Sequence, residues 1–205
     1  MNWTQGIRLL RKDLLAGWSR PPRTAEVHRK QDMSWTCPDC RVRHETIIGS
    51  DAEPGEIVDV NCRANLSLAR MAAESMTRRG RGGILLMSSL AGFQGSPYVA
   101  VYGATKAGII ALTQNIAITY GPDGIRANAI CPGDVDTELN QAFFRAHPDP
   151  VEFRRRLERE YPLRRIASPE EVARVALFLA SDDASFVSGS QVVVDGALMA
   201  RIYEL

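Results

Sequence analysis

The sequence predicts an α/β fold built on a parallel sheet, and three observations point to it. Short, wholly apolar runs such as Ile84-Leu85-Leu86-Met87 are bounded by turn residues, as in strands buried on both faces. Longer segments with helical spacing separate these runs. Glycine, proline and capping residues punctuate the boundaries, so strands and helices alternate along the chain.

The elements follow in order through the rear of the chain. Residues 54–79 read as a helix, with Ile57, Val60, Leu66, Leu68 and Met71 among its apolar positions and Arg78-Arg79-Gly80 as its stop. Residues 83–88 read as a buried strand. Residues 99–120 form a long helix closed by Gly121-Pro122, and 126–131 a second strand ended by Pro132-Gly133. Ser168-Pro169-Glu170-Glu171 is a capping box with proline at the first helical position, followed by Val172, Val175, Ala176 and Leu179 at helical spacing. Gln191–Val194 is a third, valine-rich strand.

The front of the chain is different. All three tryptophans (Trp3, Trp18, Trp35) precede residue 48, and the first 47 residues hold nine Lys+Arg against five Asp+Glu. That segment carries Pro21-Pro22 and no clear periodicity, so the chain is expected to divide into an atypical segment, 1–47, and a regular domain, 48–205. Three readings of the front segment stand open: a disordered extension, an artefactual, out-of-frame start, and half of a zinc site built from Cys37, Cys40 and His44 with His28 nearby.

Composition narrows the function classes. The 205 residues are 45% hydrophobic and 24% charged, ordinary for one globular domain. A net charge of +1 gives no electrostatic footprint for nucleic acid. No apolar run approaches the ~20 residues that span a bilayer. No secretory leader is recognisable, so the expectation is a cytoplasmic protein with reduced thiols, binding neither membrane nor nucleic acid.

Chemistry concentrates at Tyr102-Gly103-Ala104-Thr105-Lys106, with Ser89 thirteen residues upstream of the tyrosine. Residues four apart on a helix share a face. An ammonium beside a phenol favours the phenolate, which suits tyrosine to general acid–base work near neutral pH. A carbonyl that receives hydride develops negative charge on oxygen; a phenolic proton and a second hydroxyl donor stabilise it there. Ser89 ends a predicted parallel strand, where sites in open α/β sheets form.

Five stretches together resemble the short-chain dehydrogenase/reductase family. They are Ile57-Val58-Asp59-Val60-Asn61, Gly83 through Gly92, Tyr102 through Gly108, Ile125 through Gly133, and Phe186-Val187-Ser188-Gly189-Ser190 with Val193-Val194-Asp195-Gly196. The resemblance implies a Rossmann-type, doubly wound parallel sheet with helices on both faces. It implies an oxidoreductase that passes hydride between NAD or NADP and an alcohol or carbonyl. It assigns Tyr102 as proton donor or acceptor, and Lys106 as holder of the nicotinamide ribose. Ser89 would orient the substrate oxygen, and Asn61 would support a water in the proton relay. Pro132, Gly133, Val135 and Thr137 would pack the nicotinamide end. Residues 138–165, with Phe143, Phe144 and Phe153, would be a variable loop over the substrate, and Arg154-Arg155-Arg156 within it a solvated helix face.

The sequence also departs from that family. Its glycine-rich turn between first strand and first helix, which receives the pyrophosphate, has no counterpart: before residue 48 the glycines are Gly6 and Gly17. Its Asn-Ala-Gly motif is absent, with 46–49 as a candidate strand in that place. The sheet is therefore expected to be partial, its early strands missing or replaced, with an open edge at 84–87. A catalytically incompetent remnant that associates with related subunits or with itself, through helices at 99–120 and 169–181, is the alternative to the enzyme; a zinc-binding adaptor is a third.

Overall fold

The computed structural model describes residues 34–36, 43–45, 54–95 and 99–200. The chain divides into two compact units, Met1–Trp35 and Thr36–Leu205. Cys37, Cys40, His28 and the candidate strand 46–49 lie outside the described residues. Two three-residue strands, Ser34–Thr36 (β1) and Arg43–Glu45 (β2), precede the main sheet in the chain.

The main sheet holds Gly82–Met87 (β3), Ile125–Pro132 (β4) and Gln191–Val194 (β5) in the order β3-β4-β5. Both pairings are parallel, with Gly82 opposite Ile125 and Met87 opposite Ile130, then Ala129 opposite Gln191 and Pro132 opposite Val194. The strands expected at 83–88, 126–131 and 191–194 are present, and the middle one runs one residue further at each end than its apolar pattern. Among the described residues β4 is the one strand paired with β3, whose other edge is open there.

The helix expected over 54–79 has a wide turn within it. Pro54–Val58 (α1) passes into a π turn, Asp59–Ala64, and then into Asn65–Thr77 (α2). A π turn displaces the carbonyls that an α-helix would pair. Here the Asn65 amide donates to Val60 O at 3.2 Å and Asn61 O at 3.0 Å, satisfying the misaligned groups.

Helices cover both faces of the sheet. On one, Ile84 and Leu86 of β3 and Ile125 and Ala127 of β4 meet Ala69 and Ala73 of α2 and Ile109 and Ile116 of Ala100–Tyr120 (α3). On the other, Ile130, Leu85, Val192 and Val194 meet Val172 and Leu179 of the later helix Pro169–Ala180. Side chains alternate across a strand, so neighbouring residues Leu85 and Leu86 serve opposite layers.

Residues 138–165 are not a loop. They fold into Glu138–Arg145 (α4) and Pro150–Glu160 (α5), with Pro169–Ala180 as α6. Thr137 caps α4 and Asp149 caps α5, ahead of Pro150 at the first helical position. The three phenylalanines that looked like loop cover pack on one another, with ring centres 5.6–6.2 Å apart. The arginine run lies along α5 in ion pairs: Arg154 with Asp136 and Glu158, Arg155 and Arg156 with Glu152.

Two buried or half-buried polar side chains of β4 hold the chain that leads into β5. Arg126 donates to Leu179 O, Ser181 O and Val187 O, the carbonyls at and beyond the end of α6. Asn128 donates to Val187 O at 2.8 Å and accepts from Ser190 N at 3.0 Å.

Candidate active site

The site forms at the C-terminal ends of β3 and β4, where parallel strands leave free backbone groups and a crevice. Ser88 and Ser89 leave β3. Ser89 is extended and caps a single 3-10 turn, Leu90–Gly92, its Oγ accepting from Ala91 N at 3.2 Å. That turn lies directly on α3. A Cβ at Gly92 would stand 3.0 Å from the Lys106 carbonyl carbon, and one at Gly103 3.0 Å from Ala91 O. Glycine at both positions lets the serine turn and the tyrosine helix meet backbone to backbone.

Tyr102 and Lys106 rise from the first two turns of α3. The Lys106 ammonium lies 5.3 Å from the centre of the Tyr102 ring and donates to Met87 O at 2.9 Å. Lys106 is 8% exposed. Burial pushes its pKa down, and the neighbouring Cys131 sulfur partly offsets this. Cys131, fully buried in β4, is pushed up by burial against the opposing pull of Ser88 and Lys106.

Asn61, in the π turn, donates to Thr105 Oγ1 at 3.0 Å, and Thr105 Oγ1 donates to Tyr102 O at 2.7 Å. Ser88 Oγ donates to Lys106 O at 2.8 Å. Of the expected residues, Asn61 is thus tied to the Tyr102 turn through a threonine, and Ser89 is brought to α3 by its turn.

The residues after β4 have mixed surroundings. Gly133 N donates to Val194 O at 3.0 Å. Val135 forms a parallel bridge with Ala167 and packs among the residues around Ile130 and Val172. Thr137 Oγ1 accepts from Asn140 N at 3.4 Å as the α4 cap. Tyr161, 2% exposed, packs against Gly133 and bonds to Asp134.

Sequence reasoning missed four side chains here: Ser88, Thr105, Cys131 and Tyr161. The first two adjoin Ser89 and Lys106 in the chain, and that adjacency was the available signal. Tyr161 is brought in from 27 residues away, beyond the reach of local pattern.

The donor set fits the ribose end of a nicotinamide dinucleotide. The Lys106 ammonium has three hydrogens and, among the described residues, one hydrogen-bond acceptor, Met87 O, so it keeps donors for ribose hydroxyls. A turn fitted to the pyrophosphate has no counterpart among the described residues. Nor do three or more His, Cys, Asp and Glu residues gather there in a group that could hold a metal. No helix among them is long and apolar enough to cross a membrane.

A family model described as enoyl-(acyl carrier protein) reductase matches residues 41–198. An uncharacterized oxidoreductase of Thermotoga maritima is 36% identical over 151 residues, 74% of this chain and 60% of that protein. A protein of Xanthobacter autotrophicus named inactive 2-(S)-hydroxypropyl-CoM dehydrogenase 2 is 37% identical over 147 residues, 71% of this chain and 64% of that one. A gluconate 5-dehydrogenase from Burkholderia cenocepacia, solved with NADP and tartrate, superposes with a TM-score of 0.67 at 32% identity, over 74% of this chain and 59% of that one. The chain therefore spans about three fifths of the length of the curated relatives it matches.

Proposed function

The chain belongs to the short-chain dehydrogenase/reductase family, and on that premise we propose that it passes hydride between NAD or NADP and an alcohol or carbonyl substrate, with Tyr102 as general acid–base. The observation that carries this reading is the buried Lys106 ammonium beside the Tyr102 ring at the end of a parallel strand. NADP in the gluconate 5-dehydrogenase structure supports a nicotinamide cofactor of this type.

The bound dinucleotide would supply or accept the hydride at the substrate carbon. The residues of this chain then manage the oxygen. In the reducing direction Tyr102 gives its phenolic proton to the carbonyl oxygen as negative charge grows there, and Ser89 Oγ donates a hydrogen bond to the same atom. In the oxidising direction both steps reverse, and the phenolate takes the alcohol proton. Lys106 would keep positive charge beside the phenolate and would hold the ribose hydroxyls of the dinucleotide. Asn61 supports the water through which Tyr102 regains its proton. Pro132, Gly133, Val135 and Thr137 would border the nicotinamide. Nothing in this reading requires membrane or nucleic acid, and its setting would be the cytoplasm.

The test is NADH and NADPH oxidation by a panel of aldehydes and ketones, with the reverse reaction on alcohols. Tyr102→Phe should lower kcat by about 10²- to 10⁴-fold without unfolding the chain. Turnover unaffected by that change would overturn the assignment of Tyr102.

A second reading has its own support: a catalytically incompetent chain that associates with itself or with related subunits. One relative is named inactive. Leu177 and Phe178 of α6 are exposed, as are Phe186 and Val193, an apolar set suited to an interface. Absence of NAD(P)H binding together with co-purification of a longer relative would favour it. An active monomer would exclude it.

A further inference from the structure

We infer that Thr105 is a positioning residue that sets the Tyr102 turn against the Asn61 π turn. This inference rests on the proposed hydride-transfer reading. Thr105 is 4% exposed, and its hydroxyl makes two bonds in series, accepting from Asn61 Nδ2 at 3.0 Å and donating to Tyr102 O at 2.7 Å. Its neighbour Lys106 faces the site, so Thr105 points about 100° around the helix from it, into the packing between α3 and the π turn.

A threonine hydroxyl in a helix commonly bonds back to the carbonyl three or four residues earlier. That bond alone would be local. The Asn61 amide makes it a long-range one, because 44 residues separate Asn61 from Thr105. On the other side of the same turn Ser88 Oγ holds Lys106 O. The first turns of α3 are therefore gripped from two elements, through carbonyls of the two residues that face the substrate. The Thr105 hydroxyl also fixes the Asn61 side chain, since its oxygen is the one acceptor that Asn61 Nδ2 has among the described residues.

Position matters because small misplacement of an acid–base group costs large factors in rate. Loss of the hydroxyl frees the Tyr102 turn to shift along Asn61 without removing any group that touches substrate. The consequence belongs in kcat rather than KM.

Valine, alanine and serine at this position separate hydrogen bonding from packing. Thr105→Val keeps shape and loses the hydroxyl; Thr105→Ser keeps the hydroxyl and loses the methyl. Thr105→Val should lower kcat about 10- to 100-fold with KM changed less than about threefold, while Thr105→Ser stays within about threefold of the parent. If Thr105→Val folds poorly, Thr105→Ala against Thr105→Ser isolates the hydroxyl in the same way. Parent-like kcat in Thr105→Val, or equal losses in the valine and serine variants, would overturn the inference.

Hydrogen exchange supplies a readout independent of turnover. Amides of residues 102–106 should exchange faster in Thr105→Val than in Thr105→Ser or the parent, and unchanged exchange counts against the inference. A parent chain without turnover on any substrate would refute the proposed activity and leave this second measurement to judge Thr105 alone.

Discussion

The Tyr161 hydroxyl donates to Asp134 Oδ2 at 2.6 Å and accepts from the Asp134 backbone N–H at 2.7 Å. Burial, and then this carboxylate, push the phenol pKa well above its ordinary value, so it keeps its proton and stays a donor. The pair anchors the end of α5 to the chain leaving β4. It also explains Gly133, because a Cβ there would stand 2.9 Å from Tyr161 Oη and 3.1 Å from its ring. Tyr161→Phe should cost about 1–3 kcal/mol through the unpaired Asp134 groups, and Gly133→Ala about 1–3 kcal/mol through overpacking. Urea titration of both single variants and the double variant checks this. The double variant should lose less than the two single losses together, since removing Oη makes room for the new methyl.

Lys106 predicts a pH dependence. The folded chain releases this proton below the ordinary lysine value of 10.5 because burial disfavours the charge. Between the folded and unfolded values the unfolded state binds more protons, so stability rises with pH across that window. Lys106→Met should therefore raise Tm relative to the parent at pH 7, and the advantage should shrink as pH approaches 10.5. A constant or widening advantage in thermal scans from pH 7 to 10.5 would count against burial as the cause.

At the start of α6, Ser168 and Glu171 cap each other's backbone N–H, and Arg165 binds the same glutamate. Ser168→Ala should lower stability by about 1 kcal/mol in denaturant titration. The Arg165 bond, then the Ser168 N–H, draw the Glu171 pKa from 4.5 to about 2. Its contribution is complete above pH 4.5 and disappears as pH falls toward about 2. Glu171→Gln should accordingly flatten the decline of Tm over that acid range.

Arg126 gives a prediction within the sheet. Its guanidinium serves carbonyls of Leu179, Ser181 and Val187 at 2.9, 3.0 and 3.4 Å. Arg126→Met keeps much of the aliphatic stem and removes every donor, and should cost about 2–3 kcal/mol. Hydrogen exchange should rise first in residues 181–190, which lose their hold on β4.

Much of this architecture was legible because burial writes itself into composition. Ile84-Leu85-Leu86 reads as an apolar run because Ile84 and Leu86 enter one core layer and Leu85 the other, while Met87 at the end of the strand is exposed. The α6 capping box was plain because two side chains three residues apart settle it locally. The π turn left no such mark: its extra residue interrupts no apolar stripe, and the Asn65 side chain that completes it could equally face solvent. In residues 138–165 the arginine run marked a helix face, whereas the helix Glu138–Arg145 was read as loop, because its packing joins Phe144 to Phe153, Tyr161 and Ile166, residues distant along the chain. At the site, Tyr102, Lys106 and Ser89 stood out by chemical type and spacing. Thr105 and Ser88 act through bonds to partners 44 and 18 residues away, and no local spacing announces such partners.

The π turn at Asp59–Ala64 has an angular consequence for the helix that contains it. Each α-helical residue turns the chain by about 100°, and a wide turn spends one residue more than an α turn would. The helix therefore runs in two phases. The first aims Asn61 at Thr105, and the second lays Ala69 and Ala73 on the sheet. Deleting a single residue from 59–64 would merge the phases into one straight helix, which could keep the amide aimed at α3 or the alanines seated on β3 and β4, but not both.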